Sequence, residues 1–234
     1  LGSRIINGKA EQLHFGGEVM KNVAGYDVSR LMCGAMGTLG VLLDVSMKVL
    51  PRPETEVTLL YEMSNAEASK KVHQLARQTL PISATCFDDK VLHIRLSGTE
   101  GSVTSAREVL GGDELPTGAD FWTRLKEHKL DCFSEQKDIW RLSLASNSPN
   151  LKLKGKQLYE WNGALRWLIS DDDEQGIRDE VSRYGGHAIC FRQQRKQKHV
   201  FQPLDAGLLK IHRQLKSAFD PDAIFNPGRI YAEI

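Results

Sequence analysis

Cysteine is scarce in this chain and never clustered. Cys33, Cys86, Cys132 and Cys190 are far apart and form no CxxC pair, which argues against a zinc site or a thioredoxin-like motif. Three of the four sit in apolar settings and read as reduced, buried thiols of a cytosolic protein. No apolar run reaches the roughly 18 residues that a membrane helix needs. Charge of neither sign dominates, since 31 Lys and Arg stand against 30 Asp and Glu. That balance gives no broad attraction to nucleic acid or to an anionic membrane. The one basic run, Arg192, Arg195, Lys196 and Lys198, lacks the interleaved aromatics of a single-strand binder and reads as a solvated loop open to a partner subunit. His73, His93, His128, His199 and His212 share no ligand spacing, so no metal is assigned.

What the chain does have is glycine near its beginning. Lys21-Asn22-Val23-Ala24-Gly25-Tyr26-Asp27 is followed by Gly34-Ala35-Met36-Gly37-Thr38-Leu39-Gly40-Val41. Glycines so placed permit positive φ and let a ligand lie against bare backbone. The apolar stretch Val41 to Leu50 reads as a strand buried in a substantial domain. Too little chain precedes it to build that domain, and Leu1-Gly2-Ser3-Arg4 is neither an initiator nor a signal peptide. The expectation is a chain that starts inside a domain.

Asn7-Gly8, between Arg4-Ile5-Ile6 and Gln12-Leu13-His14-Phe15, is a hairpin signal. Asp27 caps a short helix through Met32. Pro51-Arg52-Pro53 ends the apolar strand and makes a stiff connector. Beyond it, strands are expected over 56–63, 82–87, 91–96 and 139–145, with helices over 65–80 and 102–110. That order is βαββαβ, an antiparallel sheet with helices on one side. One or two strands around Gly163, a helix over 174–184, a strand over 187–191, a helix over 204–219 and a turn through Asn226-Pro227-Gly228-Arg229 complete the chain. No internal repeat is evident beyond the βα alternation. The class is α+β, with divisions at 1–53, 54–218 and 219–234.

The stretch KNVAGYD…GxxGTLGV…VSMKVLPRP, joined to FDPxxxFNPGR near the end, resembles the vanillyl-alcohol-oxidase-type FAD-linked oxidoreductases. Within them the likeness is to the FAD-binding subunits of bacterial glycolate oxidases. The resemblance implies that 1–53 is the end of a two-lobed FAD-binding domain and 54–218 a cap, with the 219–234 tail returning to the FAD domain. It implies FAD as cofactor and a short 2-hydroxy acid such as glycolate as substrate. The implied partners are a sister FAD-linked catalytic subunit and an iron–sulfur subunit. The location would be cytoplasmic, or peripheral at the inner face of the membrane through those partners. The first FAD lobe would precede Leu1, so the chain alone is expected to be inactive and to hold FAD weakly. Met36 stands where many relatives carry an acid. The paired-histidine metal motif of related dehydrogenases is reduced to His187 after Gly185-Gly186.

The candidate cofactor-binding residues are Lys21, Asn22, Gly37, Thr38, Leu39, Gly40, Val41, Asn226 and Gly228. Backbone N–H groups and the Thr38 hydroxyl would face an anionic or carbonyl-rich ligand, and Lys21 either phosphate or the flavin's N1–C2 carbonyl region. The Asn226 amide has the donors and acceptor to pair with an imide. The plain alternatives are a tight loop entering a strand, a surface lysine and a closing turn. Arg166, amid apolar residues, needs a carboxylate or similar partner if buried. A substrate would supply one, and so would a structural ion pair. His187 is the other catalytic candidate, against plain loop chemistry. A different class of reading also stands: a non-catalytic assembly subunit with a vestigial or incomplete cofactor site.

Overall fold

The computed structural model describes residues 2–17, 26–194 and 199–234. They form two compact units, Leu1–Pro51 with Pro203–Ile234, and Arg52–Gln202.

The first unit begins with a hairpin of β1 (Gly2–Ile6) and β2 (Gln12–Gly16). Its connection is a five-residue loop rather than a two-residue turn, because the buried side chain of Asn7 organises it. Asn7 Oδ1 accepts from Lys9 N and Glu11 N at 3.0 and 2.9 Å, and Nδ2 donates to Glu11 Oε2 at 2.7 Å. Asp27 caps α1 (Val28–Leu31) through Arg30 N. Then β3 (Val41–Ser46) pairs antiparallel with β1, giving the order β2-β1-β3. The expected burial of this strand is not found: Val45, Met47 and Leu50 are 53, 75 and 84% exposed. β3 is an edge strand whose sole described neighbour is β1, and within this unit neither of its faces is covered.

The second unit runs β4 (Thr55–Glu62), α2 (Asn65–Leu75), β5 (Ile82–Phe87), β6 (Val91–Gly98), α3 (Glu100–Leu110), β7 (Asp113–Glu114), α4 (Gly118–Lys126), β8 (Asp138–Ser143), β9 (Lys156–Glu160), β10 (Leu165–Ser170), α5 (Glu174–Ser182) and β11 (His187–Arg192). Ser64, not Asn65, caps α2, in a capping box with Glu67, and Thr99 caps α3. Among the described residues the strands form one antiparallel sheet, β11-β8-β10-β9-β5-β6-β4-β7. The strand that closes the first βαββαβ is β7, not the segment from Ile139. β8 instead opens a second copy of the same pattern, in which β11-β8-β10-β9 repeats the order of β7-β4-β6-β5. The copies join edge to edge where Cys86 meets Glu160 and Phe87 meets Tyr159. Sequence periodicity hid this repeat because the second copy replaces the helix after its first strand with an irregular segment.

Strand alternation gives the sheet two inward faces. Leu92, Ile94 and Leu96 pack beneath α2 and α3, while Trp140, Leu142 and Leu168 pack beneath α5 on the same side. α4 departs from the expected one-sided arrangement. Its Trp122 and Leu125 join Cys86, Leu158 and Trp167 on the other face, and Phe121 stacks on His93 at 3.9 Å. The cause is legible in β6: His93 and Arg95 face away from the Leu92–Ile94–Leu96 core and need a cover of their own. Buried Arg178 fastens α5 to β11, bonding Glu174 and the carbonyls of Ala188 and His199.

The last helix, α6 (Ala206–Phe219), is capped by Asp205. The sequence divisions put it with the cap, whereas it groups with the first unit. Phe219 packs against the core formed by Ile5, Met32 and Leu39, and its carbonyl accepts from Gly8 N at 2.8 Å. Among the described residues no helix is long and apolar enough to cross a membrane.

Candidate functional site

The glycine loop and the C-terminal turn meet within the first unit. α6 ends at Phe219, and Pro221 cannot continue it. Asp220 then folds the following residues into a turn, Oδ1 accepting from Ile224 N at 3.0 Å and Oδ2 from Phe225 N at 2.8 Å. Lys216, one helical turn earlier, donates through Nζ to Asp220 Oδ2 at 2.6 Å, to Phe225 O at 2.6 Å and to Thr38 O at 2.8 Å. One buried ammonium therefore ties helix, turn and glycine loop together. Burial pushes the Asp220 carboxyl up, but the Lys216 bond and the two backbone N–H groups outweigh it, and the group lies below its ordinary value.

Asn226 completes the junction by donating from Nδ2 to Met36 O at 2.9 Å. The contact explains one glycine. At Gly37, with φ +70°, a Cβ would lie 2.9 Å from that amide nitrogen. Gly40 has a different reason: a Cβ there would come within 2.5 Å of the Ile6 carbonyl. Its bare backbone makes room for β1 rather than for a ligand. Thr38 is also occupied internally, its N–H and hydroxyl both bonding Ala35 O, at 2.9 and 2.7 Å. Among the described residues no hydrogen bond engages the N–H groups of Gly37 and Leu39. Gly37, Val41, Asn226 and Gly228 lie exposed, Leu39 is buried, and Gly228 has open space where a Cβ would stand. A cavity of about 330 Å³ borders the loop, lined by Arg30, Cys33, Leu39, His212, Leu215 and Tyr231 among others. Lys21 and Asn22 lie outside the described residues.

The two catalytic candidates fall in the second unit. Arg166 is buried on β10, and where a carboxylate or similar partner was expected, from substrate or from a structural ion pair, its partners are backbone carbonyls. Its Nε, Nη1 and Nη2 donate to the carbonyls of Gly163, Pro149 and Ser148. His187 opens β11 at an exposed position, where desolvation and the charge of Arg141 hold the imidazole below its ordinary value. Among the described residues no group of three His, Cys, Asp or Glu side chains can hold a metal ion. Lys216 and Asp220 were missed in the sequence. Their i, i+4 spacing on a helix was the available signal, but nothing local says that the pair is buried against a loop far away in the chain.

Comparisons with known proteins agree on one group. Residues 182–230 match the family model for the C-terminal domain of FAD linked oxidases. The chain is 50% identical over its whole length to glycolate oxidase subunit GlcE of Escherichia coli, and spans 65% of that protein. Glycolate oxidase subunit GlcD of Bacillus subtilis is 34% identical over 47% of the chain and 24% of its own length. Among solved structures, alkyldihydroxyacetonephosphate synthase matches with TM-score 0.61 at 15% identity, covering 97% of this chain and 53% of that one. The last likeness is one of fold.

Proposed function

We propose that this chain, a member of the FAD-linked oxidases that carries their C-terminal domain, is part of the FAD-binding subunit of a glycolate-oxidising complex. The substrate is glycolate or a related short 2-hydroxy acid, and the partners are a sister FAD-linked catalytic subunit and an iron–sulfur subunit. The observation that carries the reading is the bond from Asn226 to the Met36 carbonyl, which joins the two motifs most characteristic of the resemblance. The exposed backbone at Gly37, the N–H groups of Gly37 and Leu39, and the open approach at Gly228 suit a flat, carbonyl-bearing ring, so the residues fit FAD. Lys21, Asn22 and Val41 belong to the same proposed set. Thr38, Gly40 and the Asn226 Nδ2 serve by holding the loop in shape, since their contacts lie within the chain. Bound flavin supplies the hydride-accepting chemistry; the protein's part is to position and tune it.

The chain spans about two thirds of the length of its glycolate oxidase relative. The uncovered faces of β3 are where the rest of a two-lobed FAD domain docks in this reading. One observation favours the second reading, a non-catalytic assembly subunit: the Thr38 hydroxyl and the Asn226 amide nitrogen are already engaged internally.

The visible spectrum of the full-length protein decides between them. Flavin bands that bleach on adding glycolate without the sister subunit support the oxidoreductase, and a colourless, folded protein supports assembly. Gly37→Val in the full-length protein is expected to displace Asn226 and lower flavin content. Unchanged flavin content removes this loop from the site.

A further inference from the structure

The two copies of the strand pattern in the second unit are joined by two residue pairs, Cys86 with Glu160 and Phe87 with Tyr159. Past Phe87, β5 turns back into β6, whereas β9 runs on to Lys156 with no further pair to β5. The seam therefore stays open at this end of the sheet, and a cavity of about 820 Å³ lies in the opening. One wall is α4 with its cap, through Thr117, Asp120, Phe121 and Arg124, and the turn after it adds Leu130, Asp131 and Cys132. Leu158 of β9 and His93 of β6 border it from the sheet.

The charges around this cavity do not balance. Asp88, Asp89, Asp120 and Asp131 face Arg124 and Lys156, and both cations are already paired, Arg124 with Asp131 at 3.0 Å and Lys156 with Glu135 at 2.5 Å. Among the described residues no cation lies within ion-pair distance of Asp88, Asp89 or Asp120. Asp89 and Asp120 are exposed and served by water, but Asp88 is half-buried. It accepts only from backbone N–H groups, its own and that of Val91. Burial outweighs these neutral donors and pushes the carboxyl up to about 6. A second group is also short of a partner. His93 is 6% exposed, its ring stacks on Phe121 at 3.9 Å, and its Nδ1 has no hydrogen-bond partner. A buried polar nitrogen left unpaired is costly, and burial keeps this imidazole neutral, with a lone pair to offer.

We propose that this cavity binds a small organic ammonium ion, its cation paired with Asp88 and its apolar body lying against Phe121, Leu130 and Leu158. An ammonium carries several N–H donors on one charge, so it supplies both the counter-charge that Asp88 lacks and a donor for the His93 ring. The aromatic face of Phe121 adds a favourable surface for a cation. A largely apolar pocket with a few convergent polar groups is the usual form of a small-molecule site. The site is independent of the flavin reading: every residue in it belongs to the second unit, and neither flavin nor hydroxy acid takes part.

The test is a titration of the 234-residue chain with 2-phenylethylamine hydrochloride, followed by amide chemical shifts, with sodium chloride of equal ionic strength as control. Saturable shifts at Asp89, Val91, Phe121 and Gly155 are expected, with the amide of Gly8 in the first unit unmoved. The same titration with 2-phenylethanol, which keeps the shape without the charge, is expected to show binding weaker by about tenfold or more. Asp88→Asn deletes the carboxylate at constant volume and is expected to weaken amine binding by about tenfold or more at unchanged far-ultraviolet circular dichroism. His93→Phe keeps the stack on Phe121, removes the ring nitrogens and is expected to weaken it severalfold. No saturable shift with the amine, equal binding of the alcohol, equal amine binding by either folded variant, or tighter binding of 3-phenylpropionate than of the amine overturns the proposal. The comparison of ligands on the parent chain decides the matter even where a variant does not fold.

Discussion

Lys216→Met is the sharpest perturbation of the first unit. The substitution keeps most of the side-chain volume and deletes the ammonium that bonds Thr38 O, Phe225 O and Asp220. Removing one partner of a buried pair costs about 3–5 kcal/mol, because the other charge is stranded. Asp220 is 1% exposed but keeps the N–H groups of Ile224 and Phe225, which pulls the pair's own share to the lower end, about 3 kcal/mol. Two carbonyls left without a donor add about 1 kcal/mol or more each, so the total stays near the upper figure. Hydrogen exchange is the assay, read at the amides of Gly8, Ile224 and Phe225, which are bonded across this junction. Tryptophan fluorescence serves as an internal control, since Trp122, Trp140, Trp161 and Trp167 all belong to the second unit. The double variant Lys216→Met with Asp220→Asn is expected to recover part of the loss, because no orphaned charge remains. The pH profile carries a further sign. The Asp220 carboxyl is held below its ordinary value, so its contribution is present above the unfolded pKa of about 3.9 and is lost as pH falls through the folded value. In Lys216→Met this acid-side loss shrinks. Exchange protection within about 1 kcal/mol of the parent, or strictly additive effects in the double variant, would refute the account of the junction.

Two other predictions concern separate features. Burial raises Asp88 to about 6 and lowers His93 to about 4, so the two groups tilt stability in opposite directions between about pH 4 and 6. Folded Asp88 holds its proton longer than the unfolded group and makes stability fall as pH rises; folded His93 resists its proton and makes stability rise. Asp88→Asn is expected to steepen the upward slope in urea melts across that range, and His93→Phe to reverse it. Parallel profiles for both variants and the parent contradict these assignments. On β3, Val45→Lys places charge on an exposed apolar edge strand, a surface of the kind that associates. Light scattering is expected to show less self-association of the chain, with melting unchanged, and equal scattering removes the strip as a sticky surface.

The alternation of β6, the hairpin around Asn7 and the break at Pro51-Arg52-Pro53 were all legible in the order of residues, because each depends on neighbours a few positions away. Helix starts were readable to within three residues: at α2, Ser64 replaced Asn65 as cap because the reciprocal bond with Glu67 decided between adjacent candidates. The Asn226 turn and the glycine loop were visible separately as motifs. Their contact was expected only through resemblance, and the bond between them belongs to tertiary structure. Arg166 shows the limit most clearly. Its type and apolar neighbours called for a partner, but only the folded chain brings the Ser148 and Pro149 carbonyls to its fork.

What the sequence by itself determined was local: strand and helix periods, caps, turns, and which residue types can meet a flavin or a carboxylate. Tertiary structure alone decided that α6 belongs with the first unit, that α4 covers the opposite sheet face, that two copies of one strand order share a sheet, and that β3 is left bare. The physical reason is the range of the forces. Backbone sterics and capping bonds act within a few residues, whereas burial and charge pairing are settled by whichever distant surfaces the folded chain brings together.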